Sequence, residues 1–132
     1  MGITIQDEDS PGVYLRDKFK VPLYKCGIPM GIRNTNEFIF LVSKITGKEI
    51  PKEYVLQKGR YLDAMIDNHK YTGEARVVLY GEPELLLSTA RLCVENGILV
   101  KVAGTGSKNA ALKEKLKEEL KSQKEEFIVF DD

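Results

Sequence analysis

Imidazole and thiol groups, the side chains that most often ligate a transition metal or act as base or nucleophile near neutral pH, are scarce in this sequence. His69 is the single histidine, and it follows Asp63 and Asp67 in what reads as one helix. Asp67 stands two positions away and points to another face, and Met65, four positions away, is no ligand for a hard cation. A site there would need partners from elsewhere, so His69 is read as a hydrogen-bonded packing residue. Cys26 and Cys93 are the only thiols. They lie far apart and neither belongs to a Cys-x-x-Cys pair, so one chain cannot close a tetrathiolate site. Cys93, between Leu92 and Val94 in a helical pattern, reads as a small core residue, and both thiols are expected to be free. Asp131 and Asp132 close a strand pattern at the end where α/β sites gather, but a chain end frays. Ser/His/Asp catalysis has no support beyond the presence of the residue types.

One stretch could bind rather than react. Gly104-Thr-Gly-Ser-Lys108 falls between a strand pattern and a helix pattern, so backbone N–H groups of Gly104, Thr105, Gly106 and Ser107 and the helix start could cradle an anion. The order Gly-Ser-Lys is not that of a Walker A loop, and Asn109 breaks the Gly-x-Gly-x-x-Gly pattern. The competing reading is a tight turn that needs glycine torsions. The comparable turn at Gly81 carries Glu82 and Glu84, which favour a helix N-terminus and repel a phosphate.

The elements that must position these residues are clearest in the second half. Ala75–Tyr80 is a short apolar run rich in β-branched residues, and Pro83 fits the first turn of a helix. From Glu84 to Asn96, Leu85, Leu86, Thr89, Leu92 and Cys93 recur at helical spacing, and Asn96-Gly97 is a stop. Ile98–Ala103 reads as a strand. Lys108 to about Ser122 reads as a helix with Leu112, Leu116 and Leu120 on one buried stripe, its Lys and Glu residues forming a solvated face. Glu126–Phe130 is a third strand. The pattern is a βαβαβ unit with right-handed crossovers and a parallel sheet, half of a doubly wound fold.

The first half is mainly helical. A helix is expected from Gly12 to Phe19 and a strand from Val21 to Cys26. Asn34-Thr-Asn-Glu37 has the form of a capping box, followed by apolar Phe38, Ile39, Leu41, Val42 and Ile45 up to Gly47. Pro51 opens another helix running to about Tyr71 or Thr72. Gly59 inside it costs about 1 kcal/mol relative to Ala, which points to close packing there. The expectation is one α/β domain over residues 1–132, with 1–73 a mainly helical segment and 74–132 a Rossmann-like βαβαβ half.

The 132 residues carry 20 Lys plus Arg against 20 Asp plus Glu, a formal net charge of zero. That balance gives no basic footprint for nucleic acid and no attraction to an anionic membrane. No apolar run approaches the ~20 residues that span a bilayer, and the first nine residues lack a signal-peptide pattern, so a cytoplasmic protein is expected.

Five pieces of the sequence, Lys18–Pro22, Gly27–Phe38, Ile45–Pro51, Lys58–His69 and Leu79–Glu84, resemble nitrogenase component 1 type oxidoreductases in order and spacing. The resemblance runs from about Val13 to Asp132. It implies the later, Rossmann-like portion of a normally longer subunit, in a family that holds iron–sulfur metalloclusters and performs multi-electron reductions. Gly81-Glu-Pro-Glu84 resembles the beta-type subunit, and residues 1–12 have no counterpart of the cofactor-ligating cysteine of the alpha-type subunit. No metal-ligand residue carries over, so the isolated chain is expected to hold no cofactor and to lack a complete active site. The implied role is a truncated scaffold and interface; a stand-alone small-molecule or anion-binding module is the alternative. No helix pattern follows the last strand, which leaves apolar strand residues uncovered. A homo-oligomer, or assembly with other component 1-like subunits, is therefore expected, against a monomer whose N-terminal helices fold back over the sheet.

Overall fold

The computed structural model describes residues 10–123 and 125–131. In chain order they form α1 (Pro11–Phe19), α2 (Gly31–Thr46), α3 (Lys52–Thr72), β1 (Arg76–Tyr80), α4 (Pro83–Glu95), β2 (Leu99–Thr105), α5 (Ala110–Leu120) and β3 (Ile128–Asp131). The N-terminal stretch before Ser10 and Asp132 lie outside the described residues.

The three strands form a parallel sheet in the order β1-β2-β3. Each crossover steps to the next strand in the same direction, and right-handed crossovers of that kind place both connecting helices on one face. α4 and α5 indeed pack against each other and against that face. The core is the layer between them: Leu86, Leu87, Ala90, Cys93, Val100, Ala103, Leu112, Leu116 and Leu120 are buried, and Val77, Leu79 and Val129 pack on them. The expected leucine stripe of α5 is all core. In α4 the buried face is turned from the expected one, with Leu86, Leu87, Ser88 and Ala90 inside and Leu85 exposed. Ser88 and Ala90 are small enough to let α4 sit close to its neighbours on several sides.

The pairing of β1 with β2 steps from Val77↔Val100 to Val78↔Val102, so Lys101 is an extra residue in β2. This bulge explains why Val100 and Ala103, three apart, share the core face. Lys101 Nζ reaches Glu125 Oε2 at 3.1 Å, and Arg76 Nη2 reaches Glu125 Oε1 at 2.7 Å, tying β1 and β2 to the approach to β3. The Arg76 guanidinium, with Lys101 adding to it, holds the Glu125 carboxyl below the usual carboxylate range. Where β3 does not reach, the Gln123 side chain acts as a strand partner. Its Oε1 accepts from Val100 N at 3.2 Å and its Nε2 donates to Val100 O at 3.0 Å.

Two expectations for the first half need correction. Val21 to Cys26 does not form a strand; only Lys25 makes an isolated bridge. Pro22 lacks an N–H, and Gly27 and Pro29 end the extended run before it can pair at length. The second correction concerns Asn34, which does not cap α2. The helix begins at Gly31, whose φ of 74° turns the chain into it, and the Glu95 carboxylate of α4 accepts from Ile32 N at 2.8 Å and Arg33 N at 2.9 Å. A carboxylate from another helix thus fills the capping role that sequence reading gave to a local side chain. α2 packs on α4, while α3 makes no extensive packing with any strand. The two longer N-terminal helices therefore do not fold back over the sheet.

The helix stops fall where expected. Gly97 follows α4 with φ 70°, and a β-carbon there would come within 2.6 Å of His69 Cε1. The His69 ring therefore packs over Gly97 and beside Gly73.

Candidate functional site

The carboxyl ends of the strands bring together the residues singled out as a binding candidate, in a different local structure. Gly104 and Thr105 are the last two residues of β2, not part of a turn. Neither Gly104 nor Gly106 has a positive φ, which corrects the expectation that the turn needs glycine torsions. Space is the reason for both. A β-carbon on Gly104 would lie 2.5 Å from the Phe130 ring, and one on Gly106 would lie 2.9 Å from Tyr80 Oη. The register places Tyr80, Gly104 and Phe130 side by side across the three strands, so two aromatic rings flank a glycine whose missing side chain makes room for one of them.

Thr105 is buried, and its Oγ1 accepts from Ser107 N at 3.3 Å. That bond occupies one of the amides an anion would need. Asn109 is the N-cap of α5, its Oδ1 accepting from Leu112 N at 3.0 Å. Sequence reading saw Asn109 only as the break in a glycine pattern and missed Tyr80 and Phe130 altogether. A lone glycine ending a strand pattern was the available signal, since it marks a close approach by another group. The strand order adds a limit. With β1-β2-β3 in sequence there is no reversal of winding between the described strands, and it is at such a reversal that α/β proteins open a ligand crevice.

The strongest polar cluster lies elsewhere, between α2, α4 and α5. Asn34 is buried and its Oδ1 accepts from Arg91 Nη1 at 2.9 Å. Arg91 Nη2 pairs with Glu119 Oε1 at 2.7 Å, and Arg33 Nη2 donates to the same oxygen at 2.6 Å. Asn34 Nδ2 and Arg91 Nε are buried without a protein partner. The cluster joins three helices and contains no nucleophile. An apolar cleft of about 590 Å³ opens between α1, α2 and the segment that joins them, with Leu15, Leu23, Cys26, Phe38 and Leu41 among its walls.

The thiols stand apart in environment. Cys93 is buried in the core, where desolvation pushes its thiol above the usual range, and Cys26 is partly exposed at the cleft. Iodoacetamide at pH 8 is expected to modify Cys26 in the folded chain and Cys93 only after denaturation; rapid double modification of the native chain, read by mass spectrometry, would contradict this. Among the described residues no three His, Cys, Asp or Glu side chains are grouped to hold a metal ion. A buried core thiol, one partly exposed thiol and a histidine over a glycine do not fit an iron–sulfur cluster.

Comparison with known proteins gives a consistent set of likenesses. The family model for nitrogenase component 1 type oxidoreductase matches residues 3–132. The chain is 37% identical over 98 residues to the nitrogenase iron-iron protein beta chain of Rhodobacter capsulatus, covering 74% of this chain and 21% of that one. It is 34% identical over 114 residues to the nitrogenase molybdenum-iron protein beta chain of Methanococcus maripaludis, covering 86% of this chain and 25% of that one. The solved structure described as nitrogenase Cp1 at pH 6.5 superimposes with a TM-score of 0.84 at 30% identity, over 89% of this chain and 26% of that one. The chain thus spans about a fifth to a quarter of the length of the relatives it matches.

Proposed function

Because the chain belongs to the nitrogenase component 1 type oxidoreductases, we propose that it supplies scaffold and interface to an assembly of that family and no complete metal or active site of its own. Residues 1–73 serve as a helical segment and 74–132 as the βαβαβ half of one domain. What carries the reading is the combination of a well-formed core with the absence of a metal-ligating group among the described residues. The partners are other component 1-like subunits or further copies of the chain, reached through apolar surface that its own helices leave open. No described helix is long and apolar enough to cross a membrane.

The test is anaerobic purification followed by a visible spectrum and assays for iron and sulfide. A colourless protein with iron and sulfide far below one per chain is expected. Iron and sulfide at cluster stoichiometry, with charge-transfer absorption, would overturn the reading. The second reading is an anion- or small-molecule-binding module at Gly104, Thr105, Gly106 and Ser107. In its favour is the position of these residues at the carboxyl ends of parallel strands, ahead of a helix start. It would be supported by a melting temperature that rises with inorganic phosphate.

A further inference from the structure

Asn96-Gly97 is the one Asn-Gly pair in the sequence. Such a pair carries its own chemistry, because the N–H of a residue without a side chain meets little steric resistance when it attacks the amide before it. The Gly97 nitrogen adds to Asn96 Cγ, the Cγ–Nδ2 bond breaks, and Nδ2 leaves as ammonia with the proton that Gly97 gives up, closing a five-membered imide. Water then opens the ring at one carbonyl or the other. The product is aspartate, or isoaspartate with the main chain routed through the former side chain.

In the folded chain the reacting atoms are held away from one another. Gly97 N, the attacking atom, donates to Val94 O at 3.1 Å, and Asn96 Nδ2, the leaving group, donates to Leu92 O at 2.8 Å. Asn96 has φ -95° and ψ 7°. Ring closure needs ψ rotated until Gly97 N lies against the side chain, since the planar peptide offers no other freedom. The end of α3 opposes that rotation. Thr72 Oγ1 donates to Asn96 O at 3.2 Å, Glu74 N donates to Gly97 O at 2.9 Å, and the His69 ring lies over Gly97. Glu74 stands at φ 64°, a left-handed conformation that is unfavourable for a residue with a side chain. The grip is thus made by a single strained turn, the kind of structure that opens ahead of a core.

We propose that Asn96-Gly97 is a self-modification site kept shut by the turn after α3, so that deamidation there proceeds only through opening of the joint between the ends of α3 and α4. Every group in the lock lies within residues 69–97, so it needs no partner chain. Conversion also records the opening in one direction. An aspartate at 96 has nothing to donate to Leu92 O, and it adds a negative charge at the carboxyl end of α4, where the helix dipole opposes it and Glu95 already stands. Isoaspartate adds a carbon to the main chain where Gly97 has to fit under His69.

The test is incubation of the full chain at pH 8.5 and 37 °C, folded and in guanidinium chloride, with brief digestion by trypsin at mildly acidic pH. Mass spectrometry then follows the peptide Leu92–Lys101, in which Asn96 is the only amide side chain. The denatured chain is expected to convert to a mixture of aspartate and isoaspartate, and the folded chain to convert about 10-fold more slowly or less. Thr72→Val and His69→Ala, which remove part of the grip and the cover, are expected to raise the folded rate about threefold or more at unchanged circular dichroism. Thr72→Ser keeps the hydroxyl and is expected to match the natural sequence. Equal rates in folded and denatured chains, no conversion in denaturant, or a folded rate indifferent to both Thr72→Val and His69→Ala would overturn the proposal. The natural chain with and without denaturant decides even where a substitution unfolds the protein.

Discussion

Leu116→Ala is expected to lower the stability of the chain by about 3–4 kcal/mol. Leu116 is completely buried, between Leu112 and Leu120 on the stripe with which α5 faces α4 and the sheet. Truncation removes the transfer energy of the lost carbons and leaves a cavity whose walls are helix and strand residues held from several sides, so collapse is limited. A domain of this size has only about 5–15 kcal/mol to lose, and among the described residues the core is a single layer shared by two helices and three strands. Urea denaturation at 25 °C measures it: the midpoint should fall with little change in slope, and a loss below 1 kcal/mol would mean that α5 is not packed as described.

Glu119→Ala is the second large effect, expected at about 2–4 kcal/mol. The Glu119 side chain is only 11% exposed and accepts from both Arg33 and Arg91. Its removal leaves the Arg91 guanidinium, already without a partner at Nε, desolvated and facing Arg33 with no counter-charge. Glu119→Gln keeps the size and one acceptor and is expected to recover part of the loss. Because the pair at Arg33 is more exposed, Arg33→Ala should cost much less, under about 1 kcal/mol. Equal losses for Arg33→Ala and Glu119→Ala would show that the buried half of the cluster contributes nothing special.

The contrast between these two sites shows what can be read in the sequence. The α5 stripe was legible because it is periodic and local: three leucines four residues apart need only one buried direction. The βαβαβ order was legible for the same reason, as apolar runs separated by Pro83, Asn96-Gly97 and a helical repeat. The Glu119 cluster was not, because its members come from residues 33, 34, 91 and 119 and meet only after three helices pack. Glu119 in the sequence is one of many charges on a Lys/Glu-rich helix. Asn34 had a strong local explanation as a cap, and a tertiary competitor, Glu95, displaced it. Gly104 and Gly106 carried a correct signal with the wrong cause attached, since a glycine kept for torsion and one kept for clearance look alike until Phe130 and Tyr80 are placed beside them. The family resemblance, by contrast, rested on five ordered pieces and was legible without any geometry.

The extra residue in β2 has a consequence for how this sheet can change by insertion and deletion. Elsewhere in a half-buried strand, losing one residue swaps the two faces and turns the core outward. Lys101 is already outside the alternation: Val77 pairs with Val100, Val78 with Val102, and Lys101 stands between them unmatched. A chain lacking Lys101 would pair straight through the same partners, giving up the ion pair with Glu125 but leaving Val100 and Ala103 where they are. Within this strand, position 101 is where the chain can shorten by one codon and keep its register.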